Sequence, residues 1–392
     1  GIEIKDKNAV KVNWPAIIKR KDAIVKRLTG GVKTLLTKNN VDIYQGIGNI
    51  KTTTEVEVNG EVLNAKNIII ATGATPIIPP IPGVKAAYDK GIILTSKEAL
   101  SLPELPNKIA IIGGGVIGVE FASLFSELDC DVTILEKAPN ILINVDKDIR
   151  KVMLRKLTKL GVKIHTEADV VEIHKNSVSV KINEKLEKYE ADKVLINIGM
   201  RPNIESVLSL GLELDRSAIK TNERLETSVK GVYAIGDVNG KHMLAHVASH
   251  EGIVAVENIL GKDSKIDYDK IPSGIYTTPE IASVGINEEE AKRRGIEVKV
   301  GQFPLGANGR ALAEGESDGF VKVIADNKYG EILGVHILSP NATDMISELI
   351  VTMNLEGTIY DIANSIHPHP TFSEAIMEAS LSAIDKAIHS LT

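Results

Sequence analysis

Apolar positions recur at spacings of three, four or seven residues between residues 14 and 38. The positions that share this spacing are Ile17, Ile24, Leu28, Val32 and Leu35. Such spacing places side chains on one face of a helix, and Asn13 with Pro15 supplies a typical start. The pattern therefore predicts one long helix over residues 14–38. The short strand-like runs VDIYQGIGNI, TTTEVEVNG and EVLNAKNIIIATG follow it and predict a small antiparallel meander.

A second pattern begins at residue 109, where strand-like and helix-like segments alternate. The segments in order are KIAIIGGG, VIGVEFASLFSEL, DVTILE, VDKDIRKVMLRKLTKLG and VKIHTE. Strand–helix–strand–helix–strand is typical of a doubly wound α/β domain. A hairpin over about 169–190 and a strand at 193–199 complete it. Another strand, GVYAIGDV, leads into a helix, and strands and helices without a nucleotide motif continue to a final helix, FSEAIMEASLSAIDKAIH.

The turn GGGVIG joins the first strand of this domain to its first helix. Gly113 allows a tight turn, Gly115 lets a pyrophosphate approach the backbone, and Gly118 lets the helix pack closely on the strand. The next strand ends at Glu136, about twenty residues further on. A carboxylate there accepts hydrogen bonds from ribose hydroxyls and repels a 2′-phosphate. The sequence therefore predicts an NAD site, with NAD preferred over NADP.

Two further strands, IIIATGATP and GVYAIGDV, end in turns of small residues. Asp237 stands at the end of the second, very apolar strand. A carboxylate in such a place usually has a hydrogen-bond donor, and a ligand hydroxyl is a good candidate.

Composition narrows the classes of protein that remain. The chain has 392 residues, 43% of them apolar, which fits two or three globular domains. A net charge of −6 with scattered basic residues argues against a nucleic-acid partner. The longest apolar stretch is too short to span a bilayer, and the charged start is no signal peptide. Cys130 is the single cysteine, which fits a reducing cytoplasm and a buried apolar role.

The segment HPHPTFSEA near the C-terminus admits three interpretations. His367 and His369 are the metal ligands at hand, but no third His or Cys stands nearby, so a metal site is the weakest. A proline-stiffened structural turn is the second. The third is an acid–base dyad, in which Glu374 orients His369 so that the imidazole can accept a thiol proton.

The chain resembles the pyridine-nucleotide–disulfide oxidoreductases. The segments that carry the resemblance are ATGATP, GGGVIGVEFA, NIGMRPN, VYAIGDV, LAHVASHEG and HPHPTFSEA, which occur in the family's order from one end of the chain to the other. Within the family, the similarity is greatest to the branch that oxidises dihydrolipoamide with NAD. The resemblance implies an α/β fold in which a Rossmann-like NAD domain is inserted in an FAD domain. A C-terminal α+β domain would form a homodimer.

The resemblance also implies roles for particular residues. Thr72, Gly73 and Asp237 would bind FAD, with Asp237 on the ribitol chain. Gly199 and Ala245 would belong to the cofactor-binding residues as well.

For the reaction itself, the resemblance places Glu120 near the nicotinamide. His369 would be the catalytic base, reaching across the dimer axis, and Glu374 would orient it. A cis peptide bond is expected between His369 and Pro370. The partners implied are a second copy of the chain and the lipoyl domain of a 2-oxoacid dehydrogenase complex. No metal, nucleic acid or membrane partner is expected.

The sequence departs from the family in two respects. The family's first FAD fingerprint and its CxxxxC redox pair do not occur in these 392 residues, whose first residue is Gly rather than Met. The FAD domain is therefore expected to be incomplete, over 1–100 and 226–267, around an NAD domain over 101–225. Residues 268–392 would be the dimerisation domain.

Two functions follow from this comparison. The first is dihydrolipoamide dehydrogenation in an N-terminally truncated chain. The alternative is an inactive remnant that binds NAD and dimerises but holds no FAD stably. Relatives that use NADP, or a C-terminal cysteine pair, fit less well because of Glu136 and the lack of C-terminal cysteines.

Overall fold

The computed structural model describes Asp6 and residues 10–389 of the chain. These residues form two compact units. The first contains the segment up to Pro79, Leu94–Pro106 and Ile198–Ile266, and the second contains Pro80–Ile93, Asn107–Asn197 and the segment from Asp267 onward.

The α-helices of the described residues are α1 (Trp14–Lys38), α2 (Val84–Asp89), α3 (Ser96–Ala99), α4 (Val116–Glu127), α5 (Lys147–Lys159), α6 (Ala245–Ile259), α7 (Glu288–Arg294), α8 (Gly309–Glu314), α9 (Ala342–Asn354), α10 (Ile359–Ala363) and α11 (Glu374–Ser382). The strands are β1 (Gly48–Thr52), β2 (Glu55–Val58), β3 (Glu61–Asn64), β4 (Ile68–Ile70), β5 (Ala74–Pro76), β6 (Ile93–Leu94), β7 (Lys108–Ile112), β8 (Asp131–Leu135), β9 (Lys163–His165), β10 (Asp169–Ile173), β11 (Ser177–Ile182), β12 (Lys185–Glu190), β13 (Lys193–Ile196), β14 (Met200–Pro202), β15 (Leu214–Asp215), β16 (Ala218–Ile219), β17 (Val232–Ala234), β18 (Ser273–Ile275), β19 (Glu280–Gly285), β20 (Val298–Pro304), β21 (Phe320–Asp326) and β22 (Ile332–Ser339).

In the first unit, α1 has the bounds that its apolar spacing predicts. The Asn13 side chain accepts a hydrogen bond from the Ala16 N–H, and Pro15 lies in the first turn. The Trp14 indole donates to the Leu102 carbonyl at 2.8 Å, which fixes the start of the helix. The apolar face of α1 is largely exposed beyond that point, at 65% for Leu28 and 64% for Leu35.

The rest of the first unit consists of small sheets. Strands β1, β2 and β3 form the predicted antiparallel meander. The first strand starts at Gly48, later than the run VDIYQGIGNI suggests, because the Asn59 side chain holds the Gln45 carbonyl at 2.7 Å in place of a strand partner. Strands β4 and β17 pair in parallel, so their carboxyl ends lie at the same edge.

The part of the second unit that precedes residue 198 contains a five-stranded sheet with the order β6-β13-β7-β8-β9. The last four strands are parallel, as the alternation of strands and helices predicts. The region predicted as a hairpin forms three strands, because β12 continues the sheet of β10 and β11. These elements enclose one core that includes Ala110, Val178 and Val194, all fully buried.

The C-terminal part of the second unit is an antiparallel sheet with the order β18-β19-β22-β21-β20. Helices α9, α10 and α11 contribute to its core, with Leu349, Ile359 and Ala375 fully buried. The last helix ends at Ser382, earlier than its apolar pattern predicts. The buried Glu378 carboxylate accepts hydrogen bonds from the N–H groups of Ile388 and His389, so the chain folds back on the helix.

Candidate nucleotide-binding and acid–base sites

The glycine turn after β7 has the geometry of a phosphate cradle. Gly113 has a φ of +105°, which favours glycine. Gly115 is the N-cap of α4 and supplies no side-chain cap, so the first N–H groups of the helix have no partner within the helix. A Cβ at Gly118 would lie 2.1 Å from the Gly113 carbonyl oxygen, so helix and strand could not pack this closely with any side chain there. A Cβ at Gly115 would meet no atom within 4 Å. The protein leaves open the space that a pyrophosphate needs.

Glu136 lies at the carboxyl end of β8, directly beside this turn. Its carboxylate accepts a hydrogen bond from the Gly114 N–H at 2.5 Å and another from the Ala138 N–H at 2.6 Å. These bonds fix the carboxylate next to the cradle, where the ribose of a bound dinucleotide would lie. The residues present therefore fit NAD.

Glu120 extends from the second turn of α4. Its carboxylate accepts a hydrogen bond from the backbone N–H of Tyr276 at 2.8 Å, which joins the helix to the start of the C-terminal part. Burial raises the pKa of the Glu120 carboxyl, and the hydrogen bond from Tyr276 opposes that shift. A carboxyl group with a raised pKa can exchange a proton closer to neutral pH than an exposed one.

The edge formed by β4 and β17 brings together the residues predicted to bind FAD. Thr72 and Gly73 follow β4, and Asp237 follows β17. The Thr72 hydroxyl donates to the Asn203 carbonyl at 2.6 Å, and Gly73 has a φ of +69°. Burial raises the pKa of the half-buried Asp237 carboxyl, and the Glu251 carboxylate adds to the effect.

Two further predicted residues lie in the same unit. Gly199 has a φ of +124° and accepts a hydrogen bond from the Ile77 N–H at 3.0 Å, which fixes the start of β14. Ala245 is the first residue of α6. The residues present fit part of an FAD molecule, since the 392 residues contain a single GxGxxG turn.

Sequence reasoning missed Glu251 on α6. This carboxylate is fully buried and accepts hydrogen bonds from the Gly236 N–H at 2.6 Å and the Asn239 side-chain amide at 2.9 Å. It therefore holds the turn that carries Asp237. The signal in the sequence was weak, because Glu251 directly follows His250 in α6 and nothing beside it marks it as buried.

His369 and Glu374 form the predicted pair. Nδ1 of His369 lies 2.9 Å from Oε1 of Glu374, and the second carboxylate oxygen accepts the Thr371 N–H at 2.8 Å. The His369 side chain is 78% exposed, so its other ring nitrogen is accessible. Burial raises the pKa of the Glu374 carboxyl, but the Thr371 N–H and His369 outweigh it and hold the pKa below its usual value. The peptide bond between His369 and Pro370 is cis, as predicted.

His367 has a separate partner. Its Nε2 lies 2.8 Å from Oε1 of Glu348 on α9, and its side chain is buried. The hydrogen bond to Glu348 raises the pKa of the imidazole, and burial opposes that shift. Since the two histidines bind different carboxylates, HPHP does not form a shared metal site.

Among the described residues, one group of carboxylates has metal-ligand spacing: Asp146, Asp148 and Glu288. The ammonium group of Lys322 lies between them, at 3.0 Å from Asp146 and 2.6 Å from Asp148. The positive charge that these three carboxylates surround is therefore the ammonium group of Lys322. Cys130 is buried at the end of α4, and burial raises the pKa of its thiol. In the described part of the chain, no helix is long and apolar enough to cross a membrane.

Two family profiles match the chain. The first, described as pyridine nucleotide-disulphide oxidoreductase, matches residues 3–252, and the second, the dimerisation domain of the same family, matches residues 271–380. The chain belongs to the pyridine nucleotide-disulphide oxidoreductases, and it carries their dimerisation domain. This confirms the predicted family and its α/β fold. Membership of this family supports the use of two cofactors, FAD and NAD.

Dihydrolipoyl dehydrogenases are among the proteins to which this chain is similar. The chain is 41% identical to the one from Chlamydia muridarum over an alignment of length 400, which covers 99% of this chain and 84% of that protein. It is 44% identical to the one from Bacillus subtilis over an alignment of length 405, which covers 97% of this chain and 84% of that protein. By family, the chain is an NAD-dependent oxidoreductase.

Solved structures agree with this assignment. The flavoprotein disulfide reductase RclA from Escherichia coli superposes with a TM-score of 0.86 at 29% identity, covering 94% of this chain and 86% of that one. LpdA from Mycobacterium tuberculosis gives a TM-score of 0.86 at 26% identity, covering 95% and 83%.

Proposed function

We propose that this chain acts in the oxidation of dihydrolipoamide by NAD. The observation that carries the proposal is the hydrogen-bonded pair of His369 and Glu374, 2.9 Å apart, in a chain that also holds the glycine turn. Relatives that share about 40% of its residues over nearly the whole chain bear the name dihydrolipoyl dehydrogenase.

The overall reaction balances without any further reactant. The dithiol of dihydrolipoamide loses two electrons and two protons and becomes a disulfide. NAD takes up a hydride to give NADH, and one proton is released. FAD, when bound, carries the electron pair between sulfur and nicotinamide.

In this proposal, His369 accepts the proton of a thiol, since the thiolate is the reactive form in disulfide exchange. Because Nδ1–H of His369 donates to the Glu374 carboxylate, Nε2 of the exposed side chain is the proton acceptor. The carboxylate also stabilises the imidazolium that forms. The Thr371 N–H fixes the other carboxylate oxygen, so the pair keeps its orientation through the transfer.

The same proposal assigns NAD-binding roles to residues of the glycine turn and its neighbours. Gly113, Gly115 and Gly118 would hold the NAD pyrophosphate, and Glu136 would bind the adenosine ribose. The half-buried Glu120 would lie beside the nicotinamide.

For FAD, Thr72, Gly73 and Asp237 would contact the flavin half of the molecule at the edge of β4 and β17. The start of α6 at Ala245 and the backbone at Gly199 would complete that set. The support is geometric, because the carboxyl ends of parallel strands are the usual ligand-binding edge of such sheets.

Assembly and partners also belong to this proposal. The dimerisation domain supports a homodimer in which residues 268–392 supply most of the contact, with a total buried area above about 2,000 Å². The lipoyl domain of a 2-oxoacid dehydrogenase complex would present the substrate. A single cysteine supports a reducing compartment such as the cytoplasm. The division into domains at 1–100, 101–225, 226–267 and 268–392 stays a prediction.

A second function is favoured by a specific observation. Cys130 is the single cysteine in the 392 residues, and it is buried, so these residues contain no dithiol that could accept electrons from the substrate. An NAD-binding dimer without lipoamide turnover is the alternative.

One purification distinguishes the two functions. The protein as its cell makes it would be examined for flavin absorption, NAD binding and dihydrolipoamide-dependent NADH formation. A yellow protein whose turnover disappears in His369→Gln, and persists in the control His174→Gln, supports the dehydrogenase. A colourless protein that binds NAD without turnover refutes it and supports the alternative.

A further inference from the structure

Lys322 on β21 is one of the most deeply buried charges in the described part of the chain. Its side chain is 1% exposed, and its ammonium group contacts three carboxylates. The distances are 3.0 Å to both oxygens of Asp146, 2.6 Å to Asp148 and 2.8 Å to Glu288. A lysine ammonium group is rarely buried so completely unless carboxylates or other hydrogen-bond acceptors surround it.

These partners come from two parts of the second unit. Asp146 caps the N-terminus of α5, where its carboxylate accepts the Asp148 N–H at 2.9 Å. Glu288 lies in the first turn of α7. The ammonium group of Lys322 therefore connects β21 of the C-terminal sheet to the first turn of α5.

The segment before Asp146 leads directly to the NAD cradle. It starts after Glu136, and its Leu142 N–H donates to the Gly114 carbonyl at 2.8 Å. Ile141 packs so closely on Gly114 that a Cβ there would lie 2.6 Å from its Cγ2. The segment 137–146 is therefore fixed at one end by β8 and at the other by the Lys322 cluster. Between those ends it forms a wall of the turn.

We propose that Lys322 is a positioning residue for the NAD site, and that its positive charge holds segment 137–146 against the turn at Gly114. The proposal rests on the NAD site proposed above. It assigns to the C-terminal part of the chain a role in nucleotide binding that is distinct from dimerisation.

The local chemistry explains why the charge matters. Three carboxylate oxygens lie within 4.8 Å of one another, a spacing at which they repel unless a cation lies between them. His336 pairs with Lys322 across β21 and β22, but burial lowers the pKa of its imidazole, so it adds no positive charge. Without the ammonium group, Asp146 and Asp148 would separate, and the end of the segment would move with them.

Hydrogen exchange tests the proposal without any cofactor. The Leu142 amide is expected to exchange about 3- to 30-fold faster in Lys322→Met than in the wild type. The matched control is Lys163→Met, which removes an exposed lysine of β9 that pairs with Asp131 on the neighbouring strand β8. Equal protection of Leu142 in Lys322→Met and the wild type would overturn the proposal.

NAD titration by calorimetry supplies a second measurement. The dissociation constant should rise about 3- to 30-fold in Lys322→Met and stay unchanged in Lys163→Met. A lower melting temperature with unchanged NAD affinity would show a purely structural role and overturn the proposal. If Lys322→Met does not fold, Lys322→Gln takes its place, since its side-chain amide can still donate to the carboxylates while the positive charge is lost. If the wild type binds no NAD, the proposed NAD site is wrong, and the exchange measurement still decides the role of Lys322.

A metal cation distinguishes the effect of the Lys322 charge from the effect of its side-chain volume. Lys322→Ser leaves a space among three carboxylates, and oxygen ligands of this kind bind Ca²⁺. Millimolar calcium chloride is expected to restore Leu142 protection in Lys322→Ser and to have no effect on the wild type. Calcium that leaves Lys322→Ser unchanged would overturn the assignment to charge.

Discussion

Two glycines of one turn should respond differently to the same substitution. Gly115→Ala adds a methyl group where the protein has no atom within 4 Å, at a φ of −74° that alanine adopts freely. Gly118→Ala adds the same group 2.1 Å from the Gly113 carbonyl oxygen and 3.0 Å from the side-chain amide of Asn197. The first methyl group enters the space for the ligand, and the second enters the contact between α4 and β7.

The magnitudes follow from these distances. In Gly118→Ala, helix and strand must separate by about 1 Å, and overpacking of this kind costs about 1–3 kcal/mol. A melting temperature lower by roughly 2–10 °C is expected, together with weaker NAD binding. In Gly115→Ala, the unfolded chain loses freedom, which stabilises by about 0.4–1 kcal/mol, but alanine is a poorer N-cap than glycine, so the two effects should nearly cancel. The NAD dissociation constant should nevertheless rise about 5- to 150-fold, because the methyl group overlaps the pyrophosphate.

Differential scanning calorimetry and NAD titration on both variants measure these effects. Stability and NAD affinity should fall together in Gly118→Ala, whereas in Gly115→Ala only the affinity should fall. NAD binding by Gly115→Ala at wild-type strength would refute the assignment of this turn to the pyrophosphate. A Gly118→Ala protein as stable as the wild type would refute the packing argument.

Three other predictions concern single side chains. Glu136→Gln should reduce the preference for NAD over NADP by about 1–3 kcal/mol, since charge repulsion of the 2′-phosphate disappears, and titration of both nucleotides measures it; an unchanged ratio would contradict the role of Glu136. His369→Gln should abolish dihydrolipoamide turnover while the NAD dissociation constant stays within about twofold, and parallel loss of both would contradict a role as base. The pKa of His367 is raised by Glu348, so its stabilising effect is fully present below the unfolded pKa of about 6.5 and is lost as pH rises through the folded pKa. The melting temperatures of the wild type and His367→Gln should therefore differ more at about pH 6 than at about pH 9, and a difference that grows with pH would show the opposite sign.

Features that depend on neighbouring residues could be predicted from the sequence. The bounds of α1 agree with the prediction, because Asn13, Pro15 and a long apolar period all act locally. The glycine turn was predictable for the same reason. The last helix was predicted too long, since its end depends on the Glu378 carboxylate, which accepts N–H groups ten and eleven residues away.

Contacts between distant parts of the chain could not be predicted in this way. Lys322 and Asp146 are 176 positions apart, and nothing in either neighbourhood indicates the other. The partner of His367 was also unpredictable, because Glu348 lies on α9, 19 positions earlier in the chain. The burial of Glu251 was unpredictable for the same reason, because it follows His250 in the sequence and its partners Gly236 and Asn239 lie in the turn after β17.

The exposed apolar face of α1 affects how the protein behaves in concentrated salt. Keeping apolar surface in contact with water costs about 25 cal/mol per Å² in the absence of salt. Sulfate ions are excluded from protein surfaces, and their presence raises this free-energy cost. Leu28, Val32 and Leu35 are each more than half exposed along one side of a helix of 25 residues. Ammonium sulfate should therefore precipitate this protein at a lower concentration than a variant in which those three residues are replaced by glutamine.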